Sequence, residues 1–184
     1  MNGFKEKDYK VFEMFRDQWA LVTAGDPEDF NSCTLGWGSL GTIWTRPGRG
    51  YIVTVYLHPS RYTTEYLLRN DQFTVSFFPE RYRKALAVMG TVSGRDHDKP
   101  AEAGLTPAPI GDSVTYKEAE LTFLCRKIYQ HMFSREDLAP EIQEIYRNNT
   151  KTFPPDENGD WQPHWMFIGE ILETDDRRPA KEQE

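Results

Sequence analysis

The chain has 184 residues, 38% hydrophobic and 14% aromatic, enough to bury one ordinary core and too apolar for a disordered segment. Its 22 basic and 29 acidic residues leave a net charge of −7, which argues against nonspecific binding to nucleic acid or to an anionic membrane. No apolar run approaches the roughly 18 residues of a membrane span, the polar start is unlike a signal peptide, and Cys33 and Cys125 lack a CxxC spacing, so reduced thiols and a cytoplasmic protein are expected.

Charge is uneven: residues 61–100 hold 7 basic and 5 acidic side chains, whereas residues 101–184 hold 9 and 17. Residues 9–16 have helical spacing through Val11, Phe12 and Phe15, and residues 19–23 form a β-type run that ends at the turn Ala24-Gly-Asp-Pro27. Asp26, Glu28 and Asp29 read as a solvated turn. After a glycine-rich stretch come Ile43-Trp44, a turn at Arg46-Pro-Gly-Arg-Gly50, and residues 51–57, whose β-branched and aromatic run predicts a buried strand. Residues 63–70 predict a short helix that Thr63 or Thr64 can cap. Residues 73–78 predict a strand stopped by Pro79, and residues 81–89 a helix ending at Gly90.

Residues 94–113 read as a long irregular connection, charged first and then rich in Pro and Gly. A long strand is expected within 116–131 and a helix over 134–147, with Glu136 and Asp137 in its first turn. A loop over 152–163, a last strand over 165–172 and a frayed tail from Thr174 complete the chain. Strands outnumber helices, which predicts a mainly β fold in one domain over 1–184: a small antiparallel barrel with short flanking helices. Two strand–helix–strand pieces keep a mixed α/β sheet as the alternative.

Three short clusters carry the functional signal: Asn31-Ser-Cys-Thr-Leu-Gly-Trp-Gly38, Arg61-Tyr-Thr-Thr64 and Ser93-Gly-Arg-Asp96. Hydroxyls, glycines and fixed cations suit a phosphorylated, planar ligand, because they supply donors, charge and close backbone approach. Gly36-Trp-Gly-Ser-Leu-Gly41 matches GxGxxG literally. The dinucleotide reading requires a helix straight after the third glycine, and Thr42-Ile-Trp-Thr reads as strand, so that reading fails. Glycines here mark a bent strand approached closely by something else. His58, His97, His131 and His164 have no metal-ligand spacing, and no nucleophile–base pair or paired carboxylates stand out.

With Phe73-Thr-Val-Ser-Phe-Phe78, Ser93-Gly-Arg-Asp-His-Asp-Lys99 and His164-Trp-Met-Phe-Ile-Gly-Glu170 added in that order, the chain resembles the flavin reductase-like proteins, flavoredoxins among them. The resemblance covers roughly residues 17–131 and 163–173. It implies a split antiparallel β-barrel of Greek-key topology, a homodimer binding FMN (favoured over FAD by the resemblance alone), and NADH or NADPH as hydride donor. Carried over, Asn31, Ser32, Cys33 and Thr34 run along the flavin edge and supply backbone N–H groups, with Trp37 and Gly38 closing that strand's turn. Arg61, Tyr62, Thr63 and Thr64 hold the phosphate. Ser93, Gly94, Arg95 and Lys99 complete the pocket, with Arg95 or Lys99 at the phosphate or the nucleotide donor. His164 is the one candidate catalytic side chain that the resemblance implies, bordering the nicotinamide face.

Each residue also has a plainer reading. Thr63 and Thr64 alone are helix caps, Arg61 alone is a surface charge, residues 95–99 alone are a solvated loop, Trp37 and Trp44 are core, and His164 is a strand-end histidine. The expected function is NAD(P)H-dependent flavin reduction, in which the cofactor does the chemistry and the protein aligns rings. Two alternatives stand beside it: an FMN-binding electron carrier serving a partner protein without NAD(P)H turnover, and a cofactor-free dimeric binding module. Residues 134–162 are an elaboration with no assigned role.

Overall fold

The computed structural model describes Phe4 and residues 7–180. Nine strands run through the described residues: β1 (Ala20–Gly25), β2 (Phe30–Leu35), β3 (Gly38–Arg46), β4 (Arg49–Leu57), β5 (Gln72–Phe77), β6 (Pro107–Ile110), β7 (Ser113–Tyr116), β8 (Leu121–Met132) and β9 (Trp165–Asp176). Seven of them form one sheet in the order β2-β1-β5-β8-β9-β4-β3, and β6 pairs only with β7. All pairings are antiparallel, so the barrel expectation holds and the mixed α/β sheet does not. No helix among the described residues is long and apolar enough to cross a membrane.

The sheet curls around an aromatic core. Phe73, Phe77, Phe123 and Phe167 are at most 1% exposed and pack with Val22, Val53, Val55 and Val75. Truncating any one of these phenylalanines to Ala is expected to cost roughly 3–5 kcal/mol. Gly169 on β9 sits where a Cβ would lie 2.5 Å from the Phe73 ring and 2.7 Å from Cys125 Cβ, so only glycine lets β9 lie flat on that core. On the other face of β9, buried Glu170 meets Arg46 at 2.8 Å, Arg126 at 2.9 Å and Arg49 at 3.6 Å. The Arg126 hydrogen bond and the other guanidiniums hold its carboxyl below the usual carboxylate range.

Among the described residues there are four α-helices: α1 (Tyr62–Arg69) and α2 (Arg83–Thr91), which pack on the β1–β2 side of the sheet, α3 (Lys99–Ala103), which packs on α2, and α4 (Pro140–Asn148). Several local expectations change. Residues 13–18 are wound as a π-helix, which buries Met14 and Phe15 and leaves Phe12 91% exposed. Gly90 lies inside α2 rather than ending it, and a Cβ there would come 3.1 Å from Thr34 Cβ, so it lets α2 press on β2. The supposedly irregular 94–113 segment holds α3, capped by the Asp98 carboxylate on the Ala101 N–H and closed by left-handed Gly104, and then the strand β6. The helix expected over 134–147 begins only at Pro140, whose missing N–H suits a first turn. The tail is not frayed at Thr174, since residues 174–176 pair with β8 and Arg178 binds Asp176 at 2.8 Å; residues 181–184 lie outside the described residues. Trp37 and Trp44 are 50% and 59% exposed, so neither is core.

Candidate functional site

At one end of the sheet, β2, the start of α1, the end of α2 and the start of α3 converge on a pocket of about 80 Å³. Asn31 and Cys33 line it from β2, Ser60, Arg61, Tyr62 and Thr63 from the entry to α1, and residues 90–94 and Lys99 from the opposite wall. Strand alternation explains the β2 contribution: Asn31 and Cys33 face the pocket, while Ser32 turns its hydroxyl to Thr23 Oγ1 at 2.7 Å and to Tyr116 OH at 2.6 Å. Thr34 donates to the Leu86 carbonyl at 2.7 Å, tying β2 to α2.

Two cations face this space. Lys99, 4% exposed, donates from Nζ to the Ser32 carbonyl at 2.6 Å. Burial lowers its pKa, and nearby Arg61 lowers it further. Arg61 reaches the Gly90 carbonyl at 3.4 Å. Neither has a carboxylate within ion-pair distance among the described residues. Thr63 Oγ1 accepts from Asn31 Nδ2 at 2.7 Å, which leaves its own hydrogen to donate. The N-terminus of α1 adds backbone N–H groups and the positive end of its dipole. A side chain at Gly94 would collide with Asn31 Oδ1, so the 93–94 backbone approaches β2 as no larger residue could.

The structure separates other expected residues from this pocket. Arg61, not a threonine, is the N-cap of α1, and no side chain caps it. Thr64, 1% exposed, spends its hydroxyl on the His58 carbonyl at 2.9 Å. Arg95 pairs with Glu65 and lies 4.3 Å over the Tyr62 ring, so of the two loop cations only Lys99 turns inward. Asp29 is more than a solvated turn residue: it takes the Tyr66 hydroxyl at 2.6 Å and Arg69 at 2.7 Å. Cys33 is buried, which pushes its thiol pKa up and suits a small apolar wall.

Trp37 and Gly38 lie outside this lining: Gly38 faces the Phe15 ring, and Trp37 stands beside a second cluster. His164 lies 4.6 Å from the Trp37 ring and 5.4 Å from His58, and hydrogen-bonds Tyr146 OH through Nδ1 at 2.6 Å. His58 bonds Ser60 Oγ at 2.8 Å and the Gln162 carbonyl at 3.1 Å. Burial lowers His58 to about 4 and His164 to about 3, with Arg61 lowering both further and His58 also lowering His164, so both rings are neutral near pH 7. Sequence reasoning missed His58, Ser60, residues 90–92 and Tyr146. Ser60 sits next to Arg61 and was within reach of that motif, but nothing local marks Tyr146.

The sequence pattern described as the flavin reductase like domain matches residues 13–183. Among solved structures, the FMN-binding protein of Thermus thermophilus superposes with a TM-score of 0.61 at 17% identity, covering 93% of this chain and 80% of that one. Flavoredoxin of Methanosarcina acetivorans gives 0.61 at 20% identity, covering 92% and 74%. Flavoredoxin of Desulfovibrio vulgaris (Miyazaki F) gives 0.59 at 21%, covering 91% and 75%. No curated protein matches in sequence. The structural likenesses establish the split-barrel fold, and with the sequence match over residues 13–183 the chain belongs to the flavin reductase-like domain family.

Proposed function

We propose that the chain binds FMN through the pocket between β2 and α1 and reduces it with NADH or NADPH. One observation carries this reading: a buried ammonium, Lys99, and a guanidinium, Arg61, line one pocket without a carboxylate between them. A buried uncompensated cation is costly, and a phosphate dianion is the counter-ion that would offset it. Thr63, Ser93 and the α1 N-terminus add neutral donors suited to the remaining phosphate oxygens.

Bound FMN would supply a ring able to accept a hydride from a nicotinamide; the chain's own residues bind and orient. The β2 backbone from Asn31 to Thr34 offers peptide groups to a polar ring edge, and Cys33 offers an apolar surface. Arg61 and Lys99 anchor the phosphate end and leave no acid–base duty to either. His164, neutral, can contribute a hydrogen bond but no charge. A cytoplasmic homodimer that passes electrons to free flavin, oxygen or a partner protein completes the proposal.

The visible spectrum of the purified protein, before and after adding FMN and desalting, is the test. Retained flavin bands that bleach with NADH support the reductase, and steady-state NADH oxidation then supports turnover. Retained flavin without oxidation of either NADH or NADPH supports the electron carrier, the use suggested by the flavoredoxins among the related folds. No retained flavin and no flavin-dependent oxidation of NADH or NADPH overturn both.

A further inference from the structure

His58 is buried beside the pocket, at 2% exposure, and has no part in the flavin chemistry above. It follows directly on β4, and its ring meets the segment between α4 and β9, with Phe153 at 5.5 Å and His164 at 5.4 Å. Both ring nitrogens are engaged, and the chemistry of their partners fixes which one carries the hydrogen. Nε2 lies 3.1 Å from the Gln162 carbonyl, which can only accept, so Nε2 donates. Nδ1 lies 3.2 Å from the Ser60 backbone nitrogen, whose N–H can only donate, so Nδ1 accepts. A neutral ring satisfies both bonds at once. Burial lowers its pKa to about 4, and the charge of Arg61 acts in the same direction.

Ser60 Oγ lies 2.8 Å from the same Nδ1. That nitrogen has no hydrogen to give, so the hydroxyl directs its own at the ring. Ser60 is exposed and lines the pocket of about 80 Å³ together with Arg61, Thr63 and Lys99. With its hydrogen committed, its oxygen has only lone pairs to offer a ligand. The pocket therefore sets a hydrogen-bond acceptor beside its two cations. A site built to accept a hydrogen rejects the analogue that lacks one, because the acceptor is then left facing another acceptor. A phosphate monoester carries such a hydrogen below its second pKa of about 6. A sulfate ester has the same shape and no hydrogen.

We propose that His58 is a positioning residue that holds Ser60 as an acceptor, so that the pocket prefers a singly protonated phosphate monoester, its P–O–H donating to Ser60 Oγ, over an anion of the same shape without that hydrogen. Arg61 and Lys99 attract either charge state. A dianion, to gain a donor from Ser60, has to break the hydroxyl's bond to His58. The 134–162 elaboration acquires a task here, since its Gln162 carbonyl fixes the tautomer on which the direction of the Ser60 hydroxyl depends. The choice of a phosphate rests on the flavin reading above, whereas the direction of the hydroxyl is a property of the protein alone.

Fluorescence titration of the full chain with FMN and with the sulfate ester of riboflavin, at about pH 5, tests this. There the FMN phosphate keeps one hydrogen, so the two esters carry the same single charge. The titratable neighbour of His58, His164, is neutral at that pH, and Arg61 is the cation beside it. FMN is expected to bind about tenfold tighter than the sulfate ester, the scale of one hydrogen bond. The ratio should fall to within about threefold in Ser60→Ala and in His58→Phe. It should persist in His58→Asn, whose amide oxygen takes the place of Nδ1. Equal wild-type affinities overturn the proposal, as does a ratio unchanged in Ser60→Ala, a substitution at an exposed position that decides the matter even where His58→Phe fails to fold. A His58 ring that 15N spectroscopy finds protonated at Nδ1 overturns it as well. If neither ester binds, the flavin reading is refuted instead, and inorganic phosphate against sulfate, followed at the Ser60 and Gly94 amides, decides the acceptor: a preference for phosphate supports it and none overturns it.

Discussion

The ammonium of Lys99 is held by the carbonyl of Ser32 at 2.6 Å, a neutral acceptor for a charge buried to 4% exposure. A carbonyl satisfies one of three N–H donors and none of the charge. The ligand-free protein therefore carries an unfavourable group, and an anionic ligand relieves it.

Lys99→Met should accordingly act in opposite directions on stability and on binding. Replacing an unpaired buried cation with an apolar side chain of similar length should stabilise the ligand-free protein by about 1 kcal/mol. It should weaken FMN binding by about 1.5–3 kcal/mol, the scale of a lost charge-assisted hydrogen bond. Thermal melts and fluorescence titration measure the two. Loss of stability would show that Lys99 is structural.

Arg61 and Arg95 should separate cleanly. Arg61→Ala, in the pocket, is expected to weaken FMN binding by about 1.5–3 kcal/mol. Arg95→Ala, whose guanidinium pairs with Glu65 on the surface, should leave affinity nearly unchanged and alter stability by less than about 1 kcal/mol. Equal effects on affinity would contradict the placement of these two side chains.

Gly169→Ala is expected to destabilise by about 1–3 kcal/mol, because the methyl group must displace the Phe73 ring or shift β9. Urea denaturation measures it. The double variant Gly169→Ala with Phe73→Leu should recover part of the loss, since the obstructing ring is gone.

His58 and His164 predict an acid-sensitive window. Their folded pKa values, about 4 and about 3, lie below the ordinary imidazole value, so the unfolded chain takes protons first. Their contribution to stability is fully present above about pH 6.5 and is lost progressively as pH falls toward the folded values. His58→Gln should flatten part of the stability profile between roughly pH 6.5 and 4. An unchanged slope would mean that His58 is solvated in the folded protein.

Much of this molecule could be read from residue order. The β-branched run at 51–57 and the alternating 73–78 segment became β4 and β5, because such side chains leave the backbone few other packed conformations. The five-residue α3 was hidden inside a charged run, since Asp98 and Pro100 look like loop residues until the Asp98 carboxylate caps the turn. That same turn decides which cation enters the pocket. Arg95 and Lys99 are equivalent on charge alone, and only the start of α3 aims Lys99 inward. Thr63 and Thr64 were likewise indistinguishable, but one helical step sends Thr63 to Asn31 and Thr64 to the His58 carbonyl. Tyr146 and His164 meet across 18 positions, a contact that no local pattern encodes.

Glu170 lies buried where β4, β8 and β9 run side by side, and it is held by Arg46, Arg49 and Arg126. With three guanidiniums for one carboxylate, losing any single arginine leaves two to neutralise it, so substitutions at those positions should be tolerated one at a time. The carboxylate has no understudy. The four residues form an asymmetric joint, in which the cations can drift in sequence while the acid is obliged to stay.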